Sequence, residues 1–175
     1  MATQTHFPQI RQMLIADMDK IMLIQATCYG GGIPESRASL CAKLVASPAS
    51  CFVAVVGEDV VAYLIALPWL SQAPPALHAP ACEVPAYPDC IYLHDLSVLP
   101  AARGTGIAGL LIAHFFVYCR QSGMTKATLV AVQSSAIFWR GFGFNKLELD
   151  LGLTKKLATY GHGAEFLMCD ISPEV

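Results

Sequence analysis

The sequence predicts a single α/β domain, in which strands and helices alternate along the chain. Two patterns predict it. Short runs rich in β-branched residues, such as 51–56 and 60–67, have the length and composition of buried strands. Longer segments, such as 18–28 and 107–121, carry apolar residues at helical spacing. A chain of 175 residues has the length of one domain, so we expect residues 1–175 to share one core.

Local signals place the element boundaries. Asp17 is able to cap the first helix, and the glycines at 30–32 end it. The second helix opens at Pro34 or Glu35, and Gly123 ends the longest helix. The predicted strands are 10–15, 51–56, 60–67, 91–98, 127–132, 147–151 and 165–171, and the predicted helices are 18–28, 34–45, 107–121 and 134–142.

A long connection, residues 68–90, contains six of the eleven prolines. Connections of this length without secondary structure are unusual in a compact domain and often have a function. We therefore expect this segment to serve more than linkage.

Composition limits the classes of function. Hydrophobic residues make up 55% of the chain and charged residues 14%, which indicates a large core and allows apolar surface to be buried in a homodimer. A net charge of −2 argues against a nucleic-acid partner. The longest apolar run, 60–70, is too short to span a membrane.

The cysteines and the N-terminus indicate a reducing compartment. The chain has seven cysteines and no Cys-x-x-Cys, so we expect neither a metal site nor a disulfide framework. Cys82 and Cys90 flank one loop and form the pair best placed for a bridge. No basic segment followed by an apolar one marks an export signal, and we expect a cytoplasmic protein.

The most informative stretch is residues 93–108, where an apolar strand leads through Arg103-Gly-Thr-Gly-Ile-Ala108 into a helix. Glycines let the backbone bend and leave room for a ligand. The free N–H groups of a helix's first turn bind phosphate, and the helix dipole favours the negative charge. This order predicts a cradle for a pyrophosphate-bearing cofactor.

Two other known types of glycine-rich phosphate-binding loop fit this sequence less well. A P-loop requires Gly-Lys-Ser/Thr, and no lysine follows these glycines. Gly104, Gly106 and Gly109 match the Gly-x-Gly-x-x-Gly spacing of dinucleotide sites, but the acidic residue expected further on is missing at 125–128. A glycine-rich turn without a ligand is the remaining alternative.

Two motifs carry a family resemblance. Arg103-x-x-Gly106-x-Ala108 resembles the acetyl-CoA signature of the GNAT superfamily of N-acetyltransferases, and the later segment 135–144 resembles its Ala-x-x-Phe-Tyr-x-x-x-Gly-Phe motif. The resemblance implies a mixed sheet of about six to seven strands, with helices on both faces. It also implies that strands 91–98 and 127–132 splay apart at the cofactor site.

The resemblance further implies which residues hold acetyl-CoA, the acetyl donor. They are Leu96, Ser97, Val98, Arg103, Gly104, Thr105, Gly106, Ile107, Ala108, Gly109, Ser134, Phe138 and Trp139. Many members have a tyrosine at the position of Trp139, where it protonates the departing thiolate. An indole N–H is no acid, so either Trp139 packs and no protein acid is used, or Tyr92, Tyr160 or water serves instead.

His94 is the candidate general base. If side chains alternate along the strand, Tyr92, His94, Leu96 and Val98 share one face and Asp95 points to the other. His94 then flanks the expected thioester site, and an imidazole is a side chain able to take a proton from an amine, directly or through water. The alternative for His94 is a histidine that is only hydrogen-bonded within the sheet. Asp95 is expected to hold a neighbouring loop or helix, and a catalytic Asp95 is the alternative.

A narrower resemblance concerns the same strand. Tyr92-Leu-His94-Asp-Leu-Ser-Val98 resembles the His-Leu-His-Ala-Leu-Ala-Val strand of arylalkylamine N-acetyltransferases, in which both histidines are implicated in proton removal. The first histidine is Tyr92 here, so the resemblance implies His94 and Tyr92 as catalytic residues. His114 lies on an apolar stripe of helix 107–121 and is expected in the core or facing the sheet.

These observations predict an enzyme that moves an acetyl group from acetyl-CoA to a primary amine of a small molecule by direct attack. An acyl-CoA-binding sensor without transfer activity is the alternative, because the usual tyrosine is absent at Trp139. A nucleotide-binding oxidoreductase is less compatible with the length, since 175 residues leave no room for a second ligand domain.

Overall fold

A mixed sheet of seven strands forms the centre of the structure, a computed structural model that describes residues 7–29, 34–132, 134–148 and 151–172. Its strands are β1 (Gln9–Gln12), β2 (Phe52–Val56), β3 (Asp59–Trp69), β4 (Cys90–Val98), β5 (Lys126–Ala131), β6 (Asn145–Lys146) and β7 (Glu165–Asp170). They lie in the order β1-β2-β3-β4-β5-β7-β6. β4 and β5 run parallel, and the other neighbouring strands are antiparallel.

Helices cover both faces of the sheet. They are α1 (Met18–Cys28), α2 (Arg37–Ala46), α3 (Ile107–Gln121), α4 (Ala136–Arg140) and α5 (Leu151–Ala158). On one face, Ile21 of α1 and Leu40 of α2 pack with Tyr63 of β3. On the other face, Phe115 of α3 packs with Leu64 of β3. The predicted α/β fold with helices on both faces is confirmed.

The first helix and the longest helix have the predicted bounds, whereas β1 ends earlier than predicted. The Asp17 carboxylate accepts the Leu14 N–H at 2.8 Å and binds Arg11 at 2.7 Å, which turns the chain out of the strand. Asp17 therefore closes the turn before α1 and does not cap the helix with its side chain. The glycines at 30–32 lie outside the described residues.

The predicted strand 147–151 is wrong over its described residues, and residues 149 and 150 lie outside them. The residues that pair with β7 are Asn145 and Lys146, one further hydrogen bond joins the Leu147 N–H to the Phe166 carbonyl at 3.0 Å, and helix α5 begins at Leu151. The alternating leucines at 147, 149 and 151 resemble a strand, but Leu153 is buried and the helix-favouring residues Lys155, Lys156 and Ala158 follow it.

His114 does not lie in the core, because the residue is exposed, but it faces the sheet: its ring centroid lies 6.3 Å from that of Phe52 in β2. Helix α3 is apolar on most of its circumference, so the spacing of its apolar residues does not determine which face is buried. The structure buries a face rotated away from His114, formed by Ile107, Leu111, Ile112, Phe115 and Cys119.

The connection between β3 and β4 is anchored at several points. Near its ends, the Ser71 N–H and hydroxyl donate to the Asp89 carboxylate at 2.6 and 2.8 Å. In its middle, the Tyr160 hydroxyl donates to the Pro75 carbonyl, and the His78 N–H donates to the Glu35 carboxylate at 2.8 Å. The connection therefore packs against the α2 side of the sheet, next to β4.

The sequence also leads us to expect no membrane-spanning helix, no metal site and no disulfide framework. Within the described ranges, no helix has the length and apolarity to cross a membrane, and no cluster of His, Cys, Asp or Glu is placed to hold a metal. All seven cysteines, including Cys82 and Cys90, are free thiols.

Candidate active site

The two parallel strands part in the middle of the sheet. β4 pairs with β5 only over Ile91–Leu93, opposite Ala127–Leu129, although β4 continues to Val98 and β5 to Ala131. Past this point the facing backbone edges no longer bond to each other. A cavity of about 660 Å³ opens between them and extends to the start of α3.

Most residues predicted to contact the cofactor line this cavity: Leu96, Ser97, Val98, Arg103, Gly104, Gly106, Ile107, Ala108, Gly109, Phe138 and Trp139. Thr105 does not line it, because its hydroxyl turns back to donate to the Ala102 carbonyl at 2.7 Å. Ser134 is exposed, and its neighbour Ser135 takes the expected place. The lining residues that the motifs did not indicate are Cys28, Tyr29, Leu93, Asp95, Ala102, Leu129, Val130, Val132 and Phe142.

The start of α3 fits an anionic group. Gly104 and Gly106 have φ angles of +76° and +86°, which only glycine adopts without strain. The first helical hydrogen bond is made by the Leu110 N–H, and within the described residues the N–H groups of 104–109 have no partner. A Cβ at Gly104 or Gly106 would meet nothing within 4 Å, so a phosphate is able to approach the backbone here.

The Arg103 side chain bonds to the end of β4 and does not extend towards the N–H groups of 104–109. Its Nε donates to the Val98 carbonyl at 3.1 Å, and its Nη2 lies 3.6 Å from the Cys28 sulfur. The Cys28 thiol donates to the same carbonyl at 3.3 Å. Arg103 thus joins the end of β4 to the end of α1, at the rim of the cavity.

A β-bulge in β4 corrects the predicted side-chain directions. Asp95 pairs with Ile65 of β3, and Leu93 pairs with the next residue, Ala66, so His94 is an extra residue without a partner. The alternation therefore shifts by one. Leu93 and Leu96 both pack on the α3 side, and the prediction that His94 shares a face with Leu96 and Val98, opposite Asp95, is wrong.

His94 meets a carboxylate that the sequence did not indicate. Its Nε2 lies 2.6 Å from Oε2 of Glu35, and its side chain is 2% exposed. Its Nδ1 is buried and has no hydrogen-bond partner among the described residues, while His94 lines the cavity. The sequence separation of 59 residues explains why no local pattern could connect the two.

Glu35 is held in its ionised form. Burial alone would raise its pKa, but the hydrogen bond and charge of His94, the charge of Lys43 and the His78 N–H together lower the pKa well below its usual range. Lys43, 2% exposed, lies 3.1 Å from Oε1 of Glu35.

Asp95 holds neighbouring elements, as expected. Its carboxylate accepts the hydroxyl protons of Tyr29, at the end of α1, and of Tyr63 in β3. Burial raises the pKa of Asp95, partly offset by these two hydroxyls. Asp95 and Tyr29 also line the cavity.

Two aromatic residues predicted at the site differ in position. Trp139 is buried, and its ring packs edge-on against Phe138 and Phe144 at centroid distances of 5.0 and 5.7 Å. Tyr92 is 1% exposed, lies outside the cavity lining among the described residues, and contacts the His94 ring at 6.0 Å. Burial raises the pKa of Tyr92 well above 10.0.

Comparison with known proteins agrees with this geometry. The acetyltransferase (GNAT) family profile matches residues 18–144, which include β4, the cradle and Trp139. The chain belongs to the GNAT acetyltransferase family. No curated protein matches the chain significantly in sequence.

Solved structures of this GNAT fold match nearly the whole chain at low identity. The ribosomal-protein-S18-alanine N-acetyltransferase from Escherichia coli is 15% identical, with a TM-score of 0.69, covering 97% of both chains. The PaiA N-acetyltransferase from Thermoplasma acidophilum, in complex with coenzyme A, is 13% identical with a TM-score of 0.67, covering 94% of this chain and 99% of that one. The GphF GNAT-like decarboxylase, in complex with isobutyryl-CoA, is 16% identical with a TM-score of 0.76, covering 94% and 100%.

Proposed function

We propose that this GNAT protein transfers an acetyl group from acetyl-CoA to the primary amine of a small molecule by direct attack, with His94 as the general base. The observation that carries the proposal is the buried, unpartnered Nδ1 of His94, in a residue that lines the cavity where β4 and β5 separate. A buried ring nitrogen without a partner is costly in a purely structural histidine.

The donor site fits a coenzyme A group. The free N–H groups of 104–109 would bind its pyrophosphate, and the open edges of β4 and β5 would bind its pantetheine arm. Bound acetyl-CoA supplies an activated thioester. Backbone N–H groups near Leu96–Val98 would donate to the carbonyl oxygen as it gains negative charge. GNAT membership and the CoA-bound structures of similar fold support this assignment.

The acceptor amine must lose a proton before or during attack, because an ordinary alkylamine is protonated at neutral pH. His94 would accept that proton at Nδ1, directly or through one water. The position of His94 supports this role, since it directly follows Leu93, the last residue of β4 that pairs with β5, and lines the cavity that begins there.

The aromatic residues considered as the acid for the departing sulfur are poorly suited to that role. Trp139 has only an indole N–H, and burial raises the pKa of both Tyr92 and Tyr160 above their usual value. We therefore propose that solvent protonates the thiolate. The free state of all seven cysteines is consistent with a reducing compartment, and we propose the cytoplasm.

A panel of amines with acetyl-CoA tests the function. Thiol release, measured with a chromogenic disulfide, should depend on a small primary amine, and mass spectrometry should find that amine 42 Da heavier, about the mass of an added acetyl group less one hydrogen. Calorimetry should show binding of acetyl-CoA and not of NAD.

Other results would assign another function. Binding of acetyl-CoA without thiol release for any amine would indicate a sensor. Loss of carbon dioxide from a carboxyacyl-CoA would indicate a decarboxylase, which is what the GphF protein of similar fold is.

A further inference from the structure

We propose that Glu35 is a positioning residue that selects the tautomer of His94, with Lys43 holding the carboxylate in place. The carboxylate accepts a hydrogen bond from Nε2–H, which keeps the proton on Nε2 and leaves the lone pair of the ring at Nδ1, the atom without a partner. This inference rests on the proposed role of His94 as the base.

The two oxygens of Glu35 have different partners. Oε1 accepts from the Lys43 ammonium at 3.1 Å, the Ser39 hydroxyl at 3.2 Å and the His78 N–H at 2.8 Å. Oε2 contacts Nε2 of His94 at 2.6 Å. Three donors on one oxygen fix the carboxylate, and its second oxygen is directed at the imidazole.

The backbone of Glu35 is clamped as well. The buried Gln25 side chain of α1 donates to the Glu35 carbonyl at 2.9 Å and accepts its N–H at 3.0 Å. Lys43 is further held by the Ser39 hydroxyl at 2.8 Å. Backbone and side chain are thus both fixed, which is the condition for orienting a catalytic imidazole.

The chemistry of the donor set determines where the proton of His94 resides. Lys43 has donors only, and an ionised carboxylate has acceptors only. Glu35 is ionised at neutral pH because its pKa lies well below the usual range. The 2.6 Å contact therefore requires a proton on Nε2, and a neutral His94 has its lone pair on Nδ1.

Few other charges face this pair. Cys82 and Tyr160, on the segments that cover it, and Tyr92 in β4 all have a pKa raised by burial, so they stay neutral at pH 7. Asp95 is the remaining acidic neighbour, and it is engaged by two tyrosine hydroxyls on α1 and β3. Removing the charge of Glu35 therefore changes the field at His94 without changing another ionised partner except Lys43.

The wild-type protein provides the first test. Nitrogen-15 NMR of the histidine rings distinguishes a protonated Nε2 from a protonated Nδ1, and the signal that disappears in His94→Gln belongs to His94. At a pH where His94 is neutral, the Nε2–H form is expected. A predominant Nδ1–H form would overturn the proposal.

Variants provide the second test. Glu35→Gln removes the charge, and Glu35→Gln/Lys43→Met removes the pair so that no unpaired ammonium is buried. We expect kcat with the best amine to fall between about 10²- and 10⁴-fold, the range for losing a general base or its orienting carboxylate. The acid limb of the kcat/KM profile should move to lower pH, and the Kd of acetyl-CoA should change less than about twofold.

Asp17→Asn is the matched control, since Asp17 is another buried carboxylate paired with a cation, Arg11, away from the cavity. It should lower stability without moving the acid limb. Wild-type kcat in a folded Glu35 variant, or an equal loss at every pH with the limb unmoved, would overturn the inference. If no amine is acetylated by the wild-type protein, the proposed function itself fails. If His94→Gln keeps wild-type activity, acetyl transfer stands, but the role of His94 as base fails and the inference with it. If His94→Gln is inactive and the Glu35 variants are not, only the positioning role fails.

Discussion

Replacing Gly106 by aspartate should abolish most acetyl-CoA binding while leaving a folded protein. Gly106 precedes the first turn of α3, amid N–H groups that have no partner in the described structure. A carboxylate about 5 Å from a phosphate, at an effective dielectric constant near 20, costs about 3 kcal/mol per unit of charge. That alone weakens Kd roughly 10²-fold.

The same substitution also strains the backbone. Gly106 has a φ of +86°, and a residue with a Cβ there costs about 1–2 kcal/mol of folding free energy. Gly123→Asp is a matched control, because Gly123 has a φ of +70° and open space around it but lies at the other end of α3. Both variants should lower the urea midpoint, and only Gly106→Asp should weaken binding in calorimetry. Affinities that agree within twofold would refute the cradle.

Three further outcomes are expected. His94→Gln should lower kcat about 10²-fold or more at neutral pH, with a smaller loss at high pH where free amine is abundant, and unchanged acetyl-CoA affinity by calorimetry. Trp139→Phe should keep most of the turnover and Trp139→Tyr should match or raise it; inactive Trp139→Phe with intact donor binding would show a chemical role for the indole N–H. The hydrogen bond of Arg11, despite opposing burial, lowers the pKa of Asp17 below 3.8, so its contribution to stability is present above that value and lost as the pH falls below it. Urea midpoints of wild type and Asp17→Asn should therefore differ most near pH 7 and converge near pH 2.

Helical periodicity located α1 and α3 to the residue, because both are bounded by turn chemistry that acts within a few positions. Gly123 follows α3 with a φ of +70°, the left-handed conformation expected after a helix end. The glycines likewise indicated where the candidate cradle lies. The space around the backbone at Gly104 and Gly106 depends on residues close to them in sequence.

The orientation of β4 could not be obtained in this way. A strict alternation places His94 with Leu96, and one unpaired residue reverses every direction after it. The bulge depends on how β4 pairs with β3. The long connection between Trp69 and Cys90 separates these strands, so no local pattern shows their register.

Glu35 was missed for a similar reason. Its position beside Pro34 reads as a helix start, and its partner His94 is 59 residues away. The missing information was the burial of Glu35. A glutamate whose side chain is 8% exposed must have hydrogen-bond or charge partners, because an unpaired buried carboxylate is costly, but nothing in the sequence shows that this glutamate is buried. The fold was thus predictable at the level of its order and motifs, and the contact between Glu35 and His94 was not.

The bulge at His94 connects the two faces of the sheet to different parts of the molecule. On one face, Leu93 and Leu96 pack on the α3 side and line the cavity, so substitutions there should disturb the main core and the cavity together. On the other face, the 70–89 segment contacts Glu35 through the His78 N–H, and Glu35 contacts His94. Substitutions in that segment should therefore reach His94 through Glu35 and leave the packing of α3 intact.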